Sequence, residues 1–403
     1  MITHTKMHPA IGVVIVITLM LVQDVNAIDY SKYRAEAGTL VGSFFTVDTL
    51  YDSNIFNATK NKTSDALYVG RALLVLGSSV GLNSHILSVG MESGVYEKSD
   101  KVNYENFYID LENVIEVNAV ARFNSHLSRS WMYEVPGTGF SEGVTQEGYD
   151  AIEFGETRLA LVSTFGISRT QLSVDVNTEL YIRGYEHSNV LLFDPSYRNH
   201  TGGLVIYYTT LSRTRLSLAY SDSAVDYKEV DENGMIKDSD DQSIKLGLDW
   251  EASPLLLVSA YTGIHKKVFR QNSDIKFKGV DWQLGVKWKP LSYSIVDVTS
   301  SRSLKEAGLD GNFIDEIEVT LGWSHEWNYE INTLLNIEYT TKNYSGINRN
   351  DIISSSKMSI RKVLFERLEL SLYLNNIYQN SNVSQYDISK YVIGISARIG
   401  VFV

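Results

Sequence analysis

Several segments of the chain alternate apolar and polar residues with a period of two. In the clearest of them, Leu172–Arg183, one face is apolar apart from Thr178, and the other carries Asp, Asn, Glu, Tyr and Arg. Successive side chains of a β-strand point to opposite faces, so the pattern predicts strands with one apolar and one polar face. The same alternation occurs in residues 244–250, 280–288, 317–323 and 368–375.

The predicted strands are about 10 to 13 residues long, which is the length that a tilted strand needs to cross a membrane. Strands of soluble proteins usually run about 5 to 6 residues. The connections also alternate between short and long, as in outer-membrane barrels, where the periplasmic turns are the short ones. Short connections are predicted near residues 79–83, 166–168, 212–213, 252–254, 289–291, 327–328 and 365–367, and long ones near 51–65, 134–152, 186–196, 228–239, 303–312 and 381–388.

These features predict an all-β fold, a transmembrane antiparallel up-and-down β-barrel of about 18 strands (16 to 18). An even number would place both termini of the barrel chain in the periplasm. All prolines of the predicted barrel fall in proposed connections, as ladder hydrogen bonding requires; they are Pro136, Pro195, Pro254 and Pro290. Outward aromatic residues are expected to form interfacial girdles; they are Trp250, Trp282, Trp288, Trp323, Tyr339 and Tyr391.

The N-terminus has the pattern of a secretory signal peptide. Lys6 is followed by an uncharged apolar run, Ala10–Val22, which is too short for a spanning helix. Small residues at Val25-Asn26-Ala27 predict cleavage after Ala27. We therefore expect a signal peptide at residues 1–27 and a barrel at residues 28–403; the alternative is an N-terminal anchor helix.

Composition narrows the possible functions. The chain has no Cys, so a disulfide scaffold, a thiolate metal site and a Cys nucleophile are excluded. The net charge of −12 disfavours a nucleic-acid partner, because phosphate binding needs a basic surface. The 25 Tyr residues suit strands and membrane interfaces.

Candidate catalytic and metal-binding motifs are weak. Gly77–Gly81 matches G-x-S-x-G, but it lies at a predicted turn between strands and not at a strand-to-helix elbow. The His residues show no metal-ligand spacing, and the acidic segment Asp231–Asp241 fits a solvated loop better than a Ca²⁺ site. Gly137–Gly143 predicts either a flexible outer loop or a lumen constriction. We expect no catalytic residue, metal or cofactor.

The polar faces of the strands should line the lumen, where acids and bases are nearly balanced in number. Such a wall suits neutral or weakly charged hydrophilic solutes and not a strongly ion-selective pore. The predicted lining residues, which would form the path of a solute or polymer, are Asp175, Asn177, Glu179, Tyr181, Arg183, Lys245, Asp249, Asp281, Lys287, Glu318, Glu338, Ser371, Tyr373 and Asn375.

The last predicted strand, Tyr391–Val403, is a candidate signal for the barrel-assembly machinery, which would deliver the chain to outer-membrane lipid. Such signals are alternating apolar strands that end in an aromatic residue. Here the aromatic residue is Phe402 and the chain ends at Val403, so the match is incomplete.

The sequence resembles the exopolysaccharide-operon outer-membrane proteins, also called the β-barrel porin-2 family. The segment Tyr51–Phe56, with Asp52 and Asn54, resembles the Asp-x-Asn-Ile/Leu motif that opens those proteins. Further pieces follow in order at 197–199, 211–216, 277–282, 301–303 and 380–382. The resemblance implies a barrel that helps to export a polysaccharide, with periplasmic and inner-membrane synthesis or export proteins as partners, and it implies no catalytic residues.

The resulting expectation is a passive hydrophilic conduit in the outer membrane of a Gram-negative bacterium, used to export an exopolysaccharide of the biofilm matrix. Tyr181 and Tyr373 could stack on sugar rings, and Asn177, Ser371 and Asn375 could exchange hydrogen bonds with them. The alternatives are a general or sugar-uptake porin, a structural or adhesive barrel with a plugged lumen, and a barrel enzyme.

Overall fold

The computed structural model describes residues 38–402 except 119, 144–150, 167–170, 187–192, 212–213, 232–233, 309–310, 328–329 and 366. The predicted signal peptide, the anchor-helix alternative and Val403 lie outside the described residues. No helix among the described residues is long and apolar enough to span a membrane.

The described chain consists of eighteen strands and three single-turn 3₁₀ helices, at Asp100–Val102, Gly139–Ser141 and Ser384–Tyr386. The strands are β1 Thr39–Asp52, β2 Asp65–Val80, β3 Asn83–Tyr96, β4 Tyr104–Glu116, β5 Ala121–Tyr133, β6 Glu153–Phe165, β7 Leu172–Tyr185, β8 Tyr197–Thr209, β9 Thr214–Tyr227, β10 Ser239–Ser253, β11 Leu256–Phe269, β12 Lys276–Leu291, β13 Ser294–Glu306, β14 Phe313–Trp327, β15 Ile331–Tyr344, β16 Arg349–Leu364, β17 Leu368–Ser381 and β18 Ile388–Phe402.

Each strand pairs antiparallel with its neighbours in sequence, and β1 also pairs with β18, which closes the sheet. At the closure, residues 42–52 of β1 lie opposite residues 402–392 of β18 without interruption. The predicted all-β, antiparallel up-and-down barrel of 18 strands is confirmed. The prediction succeeded because the alternation of apolar and polar residues extends through nearly every strand.

Short turns lie at one end of the barrel and longer loops at the other. The turns Gly81–Leu82 and Pro254–Leu255 contain two residues each, whereas residues 134–152 separate β5 from β6. We assign the short-turn end to the periplasm and the long-loop end to the cell exterior. Two predicted boundaries were wrong: β13 continues to Glu306, and Pro290 lies within β12, where the register to β13 shifts and the ladder no longer needs its N–H.

The two faces of the strands differ in exposure as the alternation requires. On β7, Val176 is 48% exposed, whereas Asp175 is 4% exposed. On β10, Ile244 and Leu246 are exposed on either side of Lys245. The exposed apolar face of the closed sheet is the one that lipid can cover, and it includes Trp250, Trp288, Tyr339 and Tyr391.

Most buried apolar side chains lie at the extracellular end. Ile55, Phe56, Val102 and Tyr133 form one cluster, and a second forms around Ile314. These residues belong to the long loops and to the strand ends beside them. The extracellular loops therefore pack together and onto the barrel mouth.

The pairing of β12 with β13 is interrupted in its extracellular half. Residues 282–288 lie opposite residues 302–296, but among the described residues 276–281 have no partner in β13. We call this the β12–β13 break. Beyond it, residues 303–306 remain paired with residues 316–313 of β14, and we call this end of the two strands the tucked hairpin.

The tucked hairpin bends into the barrel. Glu306 and Phe313 belong to the same strand face as the exposed Val298, so regular strands would point them to lipid. Instead, the Glu306 carboxylate accepts a hydrogen bond from the inward Lys267 at 2.7 Å, and the Phe313 ring stacks on Phe269 with centroids 6.2 Å apart. The outer face of the hairpin thus packs on the inner face of β11.

Candidate functional site

Residues 134–143, which we call the constriction loop, fold back on themselves at the extracellular mouth. The Glu134 carboxylate accepts hydrogen bonds from the backbone N–H groups of Phe140 and Ser141, at 2.9 and 3.1 Å. Gly137 has φ +71°, and a Cβ there would lie 2.3 Å from the carbonyl oxygen of Phe56, so only glycine fits. Burial raises the pKa of Glu134 to about 7, although the two amides favour its ionised form.

The constriction loop reaches across the mouth of the barrel. Arg349, at the start of β16, donates a hydrogen bond to Glu142 at 2.6 Å. Phe140 packs edge-on against Tyr185 of β7, with ring centroids 5.0 Å apart. Asn57 of the first extracellular loop donates to the Pro136 carbonyl at 2.8 Å. Because this one loop contacts strands on different sides of the barrel, it forms a lumen constriction and does not extend outward.

Many charged side chains of the polar face are paired with one another, between neighbouring strands or, for Lys245 of β10 and Asp281 of β12, across the intervening β11. Arg158 donates to Glu179 at 2.7 Å, and the Lys245 ammonium lies 2.8 Å from the Asp281 carboxylate. Further pairs are Arg183 with Glu156, Arg215 with Asp249 at 2.8 Å, Lys287 with Asp297 at 3.7 Å and Arg361 with Glu369 at 3.2 Å. Each of these charges is therefore neutralised locally by its partner.

The remaining predicted lining residues are held by the wall itself. The Tyr181 hydroxyl donates to Glu156 at 2.5 Å, and the Tyr373 ring covers Gly394, where a Cβ would come within 2.6 Å of it. Glu318 and Glu338 accept hydrogen bonds from Thr320 and Thr340, each at 3.1 Å. Asn177 lies beside Gly203, Ser371 lies opposite Arg361 and Ser396, and Asn375 lies opposite Lys357 and Val392. Whether a solute contacts these residues stays a prediction.

Two groupings of inward side chains escaped the sequence analysis. Tyr181, Tyr197 and Tyr227 form a row on adjacent strands, with ring centroids 5.8 and 5.2 Å apart. Their proximity depends on the register between β7, β8 and β9, which alternation does not reveal. The same applies to Asp110, Glu112 and His126, whose ligand atoms lie within 4.8 Å of one another. Here the His126 ring nitrogen lies 2.5 Å from the Asp110 carboxylate, so an ordinary ion pair accounts for the contact.

The sequence matches the family described as "Putative beta-barrel porin 2" over residues 35–400. The chain belongs to this family. No curated protein sequence matches it. Its structure is similar to a BenF-like porin from Pseudomonas fluorescens Pf-5, with 10% identity, a TM-score of 0.51 and coverage of 90% of this chain and 99% of that one. It is also similar to OpdK from Pseudomonas aeruginosa, solved with vanillate, with 10% identity, a TM-score of 0.50 and the same coverage. These likenesses show a shared fold.

Membership of the porin-2 family places this barrel in the outer membrane of a Gram-negative bacterium. The family and the fold indicate a channel and not an enzyme. The G-x-S-x-G segment agrees with that reading, because Gly77–Val80 belong to β2 and Gly81 lies in the β2–β3 turn with φ +63°.

In this porin-2 barrel the Asp-x-Asn motif joins the first extracellular loop to the last strand. Asp52 accepts a hydrogen bond from the Asn54 N–H at 2.8 Å and pairs with the Lys390 ammonium of β18 at 2.7 Å. The Asn54 side chain is fully buried and exchanges hydrogen bonds with the backbone of Ala58, at 2.8 and 2.9 Å. The motif therefore has a structural role at the closure of the barrel.

Proposed function

We propose that this protein is a passive outer-membrane channel for small hydrophilic solutes of low charge, above all saccharides. The pairing of many charged residues of the wall carries the proposal: Lys245 with Asp281 and Arg215 with Asp249 are examples. A wall of paired charges offers hydrogen bonds to hydroxyl groups without attracting ions of one sign strongly. Solutes held only weakly at each point can enter and also leave.

The constriction loop supports a limit on solute size. Eighteen strands alone would enclose a wide aqueous channel. Phe140 and the pair formed by Glu142 and Arg349 narrow its extracellular mouth. We therefore expect monosaccharides to pass more readily than oligosaccharides.

Export of an exopolysaccharide is the second candidate. The ordered motifs that resemble the exopolysaccharide-operon proteins favour it, as do the inward Tyr, Asn and Ser side chains. A polymer chain would require the constriction loop to move aside. Because the sequence contains no nucleotide-binding motif, the driving force would come from synthesis or export proteins of the periplasm and inner membrane.

The channel proposal is tested with the purified barrel in liposomes. Glucose should enter faster than the trisaccharide raffinose, and K⁺ and Cl⁻ should permeate at similar rates. Replacing residues 135–143 with a Gly-Ser segment of equal length should speed raffinose entry selectively. The same replacement at residues 270–275 is the control, because that loop is outside the constriction. Strong selectivity for ions of one sign, or no sugar entry, would overturn the proposal.

A deletion strain separates the two candidates. Slower uptake of small sugars with unchanged matrix polysaccharide supports the channel. Loss of polysaccharide outside the cells with unchanged sugar uptake supports export.

A further inference from the structure

A cavity of about 250 Å³ lies between the tucked hairpin and the inner wall of the barrel. Ser303, Leu304 and Glu306 line it from the hairpin, and residues of β8 to β12, such as His265 and Asp281, line it from the wall. The hairpin closes one side of this cavity because it bends inward beyond the β12–β13 break.

The ionic groups of this cavity are already compensated. The Lys267 ammonium, 1% exposed as a residue, donates to Asp241 at 3.0 Å and to Glu306 at 2.7 Å. The Lys245 ammonium lies 2.8 Å from one Asp281 oxygen, and a His265 ring nitrogen lies 2.9 Å from Asp241. A bound molecule is therefore not needed to pair any of these charges.

One acceptor among the residues that line the cavity has no donor. Asp281 is 5% exposed, and its Oδ1 atom has no hydrogen-bond partner among the described residues. Hydroxyl groups also line the cavity: Ser221 and Ser243 bond to each other at 2.8 Å, and Ser223 and Ser303 are further lining residues. A buried carboxylate oxygen without a donor calls for a ligand that donates hydrogen bonds.

We propose that this cavity is a binding subsite for one neutral sugar ring, an inference that rests on the proposed passage of hydrophilic solutes. Sugar hydroxyls donate to groups such as Asp281 and Glu306 and accept from groups such as Lys245. The volume equals that of about eight water molecules at roughly 30 Å³ each. It falls just below the usual range for ligand pockets, about 300 to 1,000 Å³, which selects a single ring and not an oligomer.

The test records single-channel current through the intact barrel while D-glucose is added. Bound glucose should interrupt the current, and the interruptions should become more frequent with concentration. Asp281→Asn should shorten each interruption about tenfold, the effect of losing one hydrogen bond to a charged group. Asp240→Asn is the matched control, because Asp240 lies on the outer face of β10 and pairs with Arg270 at 2.9 Å.

A second variant, Leu304→Trp, fills the cavity and should abolish the interruptions even if Asp281→Asn assembles poorly. Glucose entry without interruptions in the unaltered barrel would overturn the subsite and leave the channel proposal intact. Equal effects of Asp281→Asn and Asp240→Asn, or interruptions that persist in Leu304→Trp, would also overturn it. Absence of glucose entry altogether would overturn the channel proposal instead.

Discussion

Two seams of the barrel differ in how completely their strands are joined. The closure joins the first and the last strand of the chain, yet residues 42–52 and 392–402 are paired throughout. The seam between β12 and β13 joins consecutive strands, yet only residues 282–288 and 296–302 are paired in uninterrupted register. Nearness in sequence therefore does not decide how well two strands of this barrel pair.

The difference is explained by what each seam does at the extracellular end. At the closure, Lys390 and Asp52 extend the backbone ladder with a buried ion pair. At the break, hydrogen bonds from the Arg302 guanidinium stand where backbone pairing is missing. The guanidinium donates to the Val280 carbonyl at 3.1 Å and to the Asp315 carboxylate at 2.6 and 2.8 Å. Backbone groups at a membrane must be satisfied within the protein, and here a side chain contributes to that.

The largest effect is expected from breaking the closure. Asp52→Ala leaves Lys390, 9% exposed, without its partner and removes the acceptor of the Asn54 N–H. Removing one partner of a buried ion pair costs about 3 to 5 kcal/mol. The free energy of unfolding in lipid vesicles should fall by that amount. Asp240→Ala, whose side chain is 55% exposed, should change it by less than about 1 kcal/mol; similar losses in both variants would contradict this reading of the motif.

A smaller effect is expected from opening the break. Arg302→Ala removes the donor to Val280 and leaves Asp315 without its guanidinium, which should cost about 1 to 3 kcal/mol. Hydrogen exchange should accelerate in residues 276–281. Arg302→Lys keeps the charge but loses the two-pronged hydrogen-bond geometry. Its stability and its exchange rates should therefore lie between those of the unaltered barrel and those of Arg302→Ala. Unchanged exchange in Arg302→Ala would show that the side chain does not seal the break.

The contrast between the seams also shows what sequence patterns can predict. Alternation identified the strands, the faces of residues such as Val176 and the count of eighteen, because each follows from local periodicity. It placed residues 303–306 in a loop and could not reveal the tucked hairpin, because the face of Glu306 depends on whether β13 still pairs with β12. Pairs such as Arg158 with Glu179 and cavities such as the one at Asp281 depend on register, which one sequence does not specify.

The register at the break predicts a second arrangement of the hairpin. Continuing the pairing of Trp282 with Arg302 would set Leu304 opposite Val280, and Glu306 opposite Lys278. Leu304 and Val280 would form an apolar pair on the lipid face. Glu306 and Lys278 would form an ion pair beside Lys266, which already lies opposite Lys278. The same residues would therefore complete the seam if the hairpin left the lumen.

The smallest expected effect is a shift in population between the tucked hairpin and the arrangement in which the β12–β13 seam is complete. The Tyr227 hydroxyl donates to Glu306 at 2.8 Å only while the hairpin is tucked, so Tyr227→Phe should favour the completed seam by about 1 kcal/mol, or about fivefold in population. The chain has no Cys, so cysteines introduced at Val280 and Leu304 report that state by forming a disulfide, which requires Cα atoms about 4.4 to 6.8 Å apart. The rate of disulfide formation should rise about fivefold in Tyr227→Phe.

Tyr261→Phe is the matched control, because the Tyr261 hydroxyl bonds to Asp249 on the same inner wall and not to the hairpin. Equal rates in the two variants would show that the hairpin stays tucked, and the β12–β13 break would then be a fixed feature of the barrel.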